Sequence, residues 1–166
     1  MLEDITLAKC VEFAIATEES GEKFYQAMAD KFSDNREISD LFSRLALDER
    51  VHKQQFSKYL KEIPGADPAP LRDESFEYLK AMSISEFFST GKGPFKDVEK
   101  VKDRDEALSH AFGMEKATLG YYNAMKDVIG ENDVLDCIIK AEQDHVASIM
   151  KVMITGGKFR SLQDKY

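Results

Sequence analysis

The chain of 166 residues has no tryptophan, only two cysteines and only four prolines. The cysteines, Cys10 and Cys137, stand far apart and outside any CxxC pattern. That count excludes a disulfide scaffold, a structural zinc knuckle and a cysteine-held iron–sulfur site, and the pair reads as two partly buried thiols. Long apolar runs are missing as well, and no stretch approaches the roughly 18 residues that a membrane span requires. The opening Met1-Leu2-Glu3-Asp4 lacks the basic-then-apolar layout of a signal peptide, so a soluble, cytoplasmic protein with no membrane partner is expected. Basic charge is in deficit, with 23 Lys and Arg against 31 Asp and Glu for a net charge of −8, which argues against nucleic acid as a partner. Sustained two-residue alternation between turn signals is absent too, and with it the signature of strands. What is present, 43% apolar and 33% charged residues, suits one domain over residues 1–166 with a single core.

The prolines are not scattered. Pro64, Pro68, Pro70 and Pro94 all fall in one central stretch, and proline breaks helix interiors, so two proline-free helical blocks flank an irregular connector. Ser33-Asp34-Asn35 divides the first block and Gly130-Glu131-Asn132-Asp133 the second, each a turn that ends in a helix N-cap. The charged run Asp103 to Glu106 reads as a helix start. Helices are therefore expected at about 4–31, 35–62, 104–129 and 132–155, with a crossover over 63–103 that holds a short helix near Ser75 to Met82. Tight turns within each pair make two antiparallel hairpins, and a connector of about 40 residues suits a strap along the bundle. The expected fold class is all-α, a four-helix bundle with a long crossover connection between helices 2 and 3.

Three-four spacing on the first helix picks out Val11, Ala14, Glu18, Gly21, Tyr25, Met28 and Phe32 as a buried seam interrupted by one carboxylate. The third helix repeats it in register as Leu108, Ala111, Glu115, Thr118, Tyr122, Met125 and Ile129. The second helix gives Ile38, Phe42, Leu45, Glu49, His52, Phe56 and Tyr59, and the fourth answers with Leu135, Ile138, Glu142, His145, Ile149 and Val152. Glu-x-x-His thus occurs twice in register, as Glu49-Arg50-Val51-His52 and Glu142-Gln143-Asp144-His145. The chain is a duplicated helix hairpin in which each half sets one Glu, then a Glu and a His, on apolar faces.

Four carboxylates left ionised and unpaired in a bundle core would each cost several kcal/mol, so something must neutralise them. Two divalent cations match the charge of four glutamates, and two neutral imidazoles add nitrogen ligands without adding charge. Residues three apart share a helix face, so each Glu-x-x-His can offer both side chains to one centre. A satisfied polar network without metal is the alternative. Glu19 and Glu22 flank the seam as a solvated face, with Glu22 one turn from Glu18 and within reach of a metal. Tyr25 and Tyr122, two turns beyond Glu18 and Glu115, are placed either to hydrogen-bond to a carboxylate across the bundle or to fill the core. His110 lies off the seam and reads as surface, and Met28, Met125, Met150 and Met153 read as core filler.

These residues resemble the rubrerythrin-like branch of the ferritin-like superfamily over residues 5–155. The phrases that carry the resemblance are Glu18-Glu19-Ser20-Gly21-Glu22-Lys23-Phe24-Tyr25, Leu47-Asp48-Glu49-Arg50-Val51-His52, Glu115 through Tyr122, and Ala141-Glu142-Gln143-Asp144-His145. The resemblance implies a ferritin-like bundle whose cofactors are two iron ions. Manganese fits the same ligand types, and zinc can fill the site on purification. By the same resemblance Glu49 and Glu142 bridge the metals, Glu18 and Glu115 are terminal ligands, and His52 and His145 bind one metal each. It further implies an oxidoreductase that reduces hydrogen peroxide or dioxygen; ferrous iron oxidation and iron handling, or a purely structural metal site, are the alternatives. Two departures from rubrerythrins proper stand out. No rubredoxin-like Cys-x-x-Cys iron domain is present, so an external redox protein such as rubredoxin is the expected partner. Thr118 stands where an additional glutamate follows the third-helix ligand, which implies a more symmetric site. A homodimer is the expected assembly.

Overall fold

The structure, a computed structural model, describes residues 6–62, 74–87 and 101–163, with side chains described through Ser83 in the middle segment and through Thr155 in the last. Five helices follow one another: α1 (Leu7–Lys31), α2 (Arg36–Glu62), α3 (Glu74–Phe87), α4 (Arg104–Ile129) and α5 (Asp133–Gln163). No strand occurs among the described residues, and the fold class is the all-α, ferritin-like bundle expected. No helix among them is long and apolar enough to cross a membrane.

The helix boundaries follow from local chemistry. Thr6 caps α1 by accepting from the amide of Lys9 at 3.1 Å, so the helix begins at Leu7, whereas Asp4 and Ile5 lie outside the described residues. Asn35 caps α2 through Ile38 N at 3.3 Å, and Asn132 caps α5 through Leu135 N at 2.9 Å. Asp103 takes the amides of Asp105 and Glu106 at 2.9 and 3.0 Å, which starts α4 where the charged run predicts. Gly130 ends α4 with a φ of 79°, a backbone state that glycine enters without steric cost. Two expectations need correction. The connector helix is longer than Ser75 to Met82, and α5 runs past residue 155 through Gly156 and Gly157 to Gln163. Two glycines cost about 1 kcal/mol each in a helix, but no proline follows to stop it. The remainder of the expected crossover, 63–73 and 88–100, lies outside the described residues.

α1 packs along α2 and α4 along α5, while α3 lies against α4 and touches α1. The hairpins meet through α2 with α5 and α1 with α4. α3 is pinned by a buried polar knot: the hydroxyls of Ser83 and Tyr121 lie 2.9 Å apart, and Tyr121 donates to the carbonyl of Cys10 at 3.0 Å. Cys10 is fully buried and Cys137 exposed, so the two thiols differ rather than sharing a partly buried setting.

The apolar core is divided in two. One cluster, around Phe24, Tyr25, Phe42, Leu45 and Leu108, fills the end of the bundle near the α1–α2 turn. The other, around Val11, Phe56, Tyr121, Met125 and Ile138, fills the opposite end. The predicted seam residues are buried on all four long helices, except Phe32, Tyr59 and Ile129 near helix ends and Val152 within α5, which lie partly buried. Between the clusters the seam turns polar, and that layer holds the site. Phe42 is fully buried, and its ring stacks 5.9 Å from that of Tyr25. Phe42→Ala is expected to cost about 3–5 kcal/mol and lower the melting temperature of the metal-free protein by roughly 10 °C, read by far-ultraviolet circular dichroism.

Candidate metal centre

Glu18 comes from α1, Glu49 and His52 from α2, Glu115 from α4, and Glu142 and His145 from α5. All six are buried, the most exposed retaining 4% of its surface. They fall into two groups, Glu18, Glu49, His52, Glu142 and Glu49, Glu115, Glu142, His145. Within each group one ligand atom per residue lies within 4.8 Å of the others. The groups share Glu49 and Glu142, the two carboxylates of the Glu-x-x-His pairs.

The carboxylate oxygens divide their tasks. Tyr25 donates its hydroxyl proton to Glu115 Oε1, and Tyr122 donates to Glu18 Oε1. The second oxygens stay turned toward the centre, Glu115 Oε2 at 3.3 Å from His145 Nδ1 and Glu18 Oε2 at 3.5 Å from His52 Nδ1. Glu142 presents one oxygen to each imidazole, Oε1 at 3.0 Å from His52 Nδ1 and Oε2 at 3.5 Å from His145 Nδ1. Both tyrosines therefore reach carboxylates across the bundle, and each joins one half of the chain to the other.

Metal fits this site on the geometry of its own atoms. Glu18 Oε2, both Glu142 oxygens and His52 Nδ1 are buried and make no hydrogen bond. Each such atom costs about 1–3 kcal/mol if left unsatisfied, so a cluster of them at one point suits a bound cation. Carboxylate and imidazole donors suit iron, manganese or zinc.

Without metal, the charges are balanced by protons. Burial and the charges of Glu18 and Glu142 push Glu49 well above the usual carboxylate range. Burial and Glu142 push Glu115 up to about 8. Burial opposes charge on the imidazoles, but the surrounding carboxylates outweigh it, taking His52 up to about 9 and His145 up to about 12. Burial likewise opposes ionisation of Glu142, yet the two imidazoles that face it hold it well below the usual range. Burial, then the adjacent Glu115 and Glu18 respectively, raises the phenols of Tyr25 and Tyr122, which stay protonated as donors.

Other candidates lie elsewhere. Both oxygens of Glu22 are taken by Arg50 and Lys53 at 2.7 Å, so it clasps α1 to α2 instead of approaching the centre, and these cations hold its carboxyl below the ordinary range. Glu19 pairs with Lys23 at the surface. His110 is half-buried, its ring 5.3 Å from that of Phe24, in place of the expected surface position. Met28 and Met125 are buried core residues as predicted. Thr118, on the face of Glu115 one turn on, is buried and uncharged.

Sequence reasoning missed two contributors. Asp48 Oδ2 stands 3.2 Å from His145 Nε2, and that contact holds the aspartate below its ordinary range. Its only signal was a place beside Glu49, one step off the seam. This contact has no counterpart in the other half, because the matching position before Glu142 is Ala141. Gly21 is the other. A β-carbon there would lie 3.3 Å from Cγ, Cδ and Oε2 of Glu49, so the absent side chain leaves room for that carboxylate.

Two outcomes follow for metal binding. At pH 7, uptake of two divalent ions is expected to release a proton from each of Glu49, Glu115, His52 and His145, so affinity falls as pH is lowered. Calorimetric titration in buffers of different ionisation enthalpy measures that release. Gly21→Ala gains roughly 1 kcal/mol of helix propensity, and the flexible tip of Glu49 can yield in the metal-free state. Its metal-free melting temperature is expected to hold or rise by a few degrees, while metal affinity falls by about an order of magnitude because Glu49 is displaced.

A comparison with curated proteins and one with solved structures each returned no match. The family model for rubrerythrin matches residues 9–153, a span that contains all six converging carboxylate and imidazole residues. With the helical bundle and its buried carboxylate–histidine layer, that match assigns the chain to the rubrerythrin family.

Proposed function

We propose that this chain is a non-haem di-iron carboxylate oxidoreductase that reduces hydrogen peroxide to water in the cytoplasm, with electrons from an external protein donor. The observation that carries the reading is the pair of four-residue groups sharing Glu49 and Glu142. In this reading Glu49 and Glu142 would be shared by two ions, one held with Glu18 and His52 and the other with Glu115 and His145. Two ferrous ions held there would supply the two electrons that O–O cleavage needs, as H2O2, two protons and two electrons give two waters.

The chain's own residues prepare the site. Tyr25 and Tyr122 each occupy one oxygen of a terminal glutamate and leave the other for a metal. Their raised proton affinity suits them to orienting carboxylates and not to releasing protons. The apolar clusters above and below exclude water and strengthen every charge interaction within the layer. In this reading a separate redox protein such as a rubredoxin supplies the reducing electrons.

Protein loaded anaerobically with ferrous iron and mixed with one equivalent of hydrogen peroxide tests the proposal. The expected outcome is about two irons per chain, oxidised together by that equivalent faster than by air-saturated buffer, with Glu142→Ala abolishing the fast phase. Faster oxidation by dioxygen would move the reading toward ferrous iron oxidation. Absence of oxidation by either would leave the metals a structural role.

A further inference from the structure

The six candidate ligands are matched in kind between the two halves, but their surroundings are not. His145 turns Nδ1 toward Glu115, Glu49 and Glu142, at 3.3, 3.5 and 3.5 Å, and turns Nε2 toward Asp48 at 3.2 Å. A neutral imidazole has one N–H, so an imidazole that gives its Nδ1 lone pair to a metal must keep its proton on Nε2, where Asp48 accepts it. His52 also turns Nδ1 inward, toward Glu142 and Glu18, but Ala141 occupies the position that would supply its outer acceptor. Among the described residues no hydrogen bond is made to His52 Nε2.

We infer that Asp48 is a positioning residue that makes the two metal positions unequal. It fixes the tautomer and ring orientation of His145, so that the position built by Glu115 and His145 binds its ion more tightly than the position built by Glu18 and His52. The inference rests on the di-metal reading of the site. Asp48 belongs to α2 and His145 to α5, so the contact also lets one half of the chain set the properties of a ligand in the other. The Asp48 side chain is 40% exposed, and a surface ion pair of that kind ordinarily contributes little to stability. Its effect on the ligand is the larger one, because a carboxylate behind a metal-bound histidine is typically worth about 10–100-fold in metal affinity.

The test is a competition titration of metal-free full-length protein with Zn2+ against a fluorescent chelator, together with 15N spectra of the histidine side chains in the Zn2+-loaded form. For Asp48→Ala, one of the two ions is expected to bind about 10–100-fold more weakly and the other unchanged. The Nε2–H signal of His145 should exchange faster while that of His52 stays as it was. Asp48→Asn keeps an acceptor oxygen and should recover most of the affinity. Ala141→Asp should tighten the weaker ion. An unchanged isotherm in Asp48→Ala, or an equal loss at both ions, would overturn the role of Asp48 and leave the di-metal reading standing. Failure of the unaltered protein to take up Zn2+ would overturn the di-metal reading and, with it, this inference.

Discussion

Four carboxylates and two imidazoles are gathered at one depth of a helical bundle, and most of the other features of this molecule can be understood as answers to that concentration of charge. Water is excluded there, so repulsion between the carboxylates is barely screened. In the metal-free state a raised proton affinity at Glu49, Glu115, His52 and His145 eases the conflict, while the two imidazoles that face Glu142 favour its ionised form. Divalent metal would resolve it differently, replacing several protons with two centres of positive charge. The same arrangement of backbone thus serves two electrostatic states, and the charged layer is tolerable only because a cation of some kind is always available to it.

The apolar residues are disposed to hold that layer in place. A single continuous core would have left no room for it, whereas two clusters at opposite ends clamp the helices above and below. The tyrosines link the clusters to the layer. The rings of Tyr25 and Tyr122 belong to the apolar packing at opposite ends, and their hydroxyls reach inward to Glu115 and Glu18. A buried tyrosine is suited to this work, because its ring contributes burial while its hydroxyl meets the polar boundary. Outside the layer, the clasp of Glu22 with Arg50 and Lys53 and the knot of Ser83, Tyr121 and Cys10 fix neighbouring helices without touching the candidate ligands.

Much of this was legible in the sequence because helices encode their buried face by period. The interruption of an apolar seam at Glu18, Glu49, His52, Glu115, Glu142 and His145 could be read directly, and the repeat excluded coincidence. The proline cluster and the Asn and Asp caps located the helices to within a few residues. What could not be read has a common character. Asp48 and Gly21 matter through a neighbour on another helix, a distance of about 3 Å that no spacing rule along one helix contains. A place off the seam marks His110 as surface, yet α4 also packs against neighbours on a second face, and the half-buried ring of His110 meets Phe24 of α1. The continuation of α5 past Gly156 shows the converse limit, since glycine disfavours a helix without forbidding it.

The tyrosine of each half binds the glutamate of the other, Tyr25 with Glu115 and Tyr122 with Glu18, in the manner of a two-fold axis drawn through a single chain. Two separate copies of one hairpin, paired about a true axis, would be compelled to set identical groups beside both histidines, because every residue would appear twice. Covalent fusion lifts that compulsion. It preserves the reciprocal exchange that closes the bundle while freeing positions 48 and 141 to differ, one an aspartate and the other an alanine. Broken symmetry of this sort is available only to a pseudo-dimer, and it sets chemically different neighbours beside two histidines built from a single repeated plan.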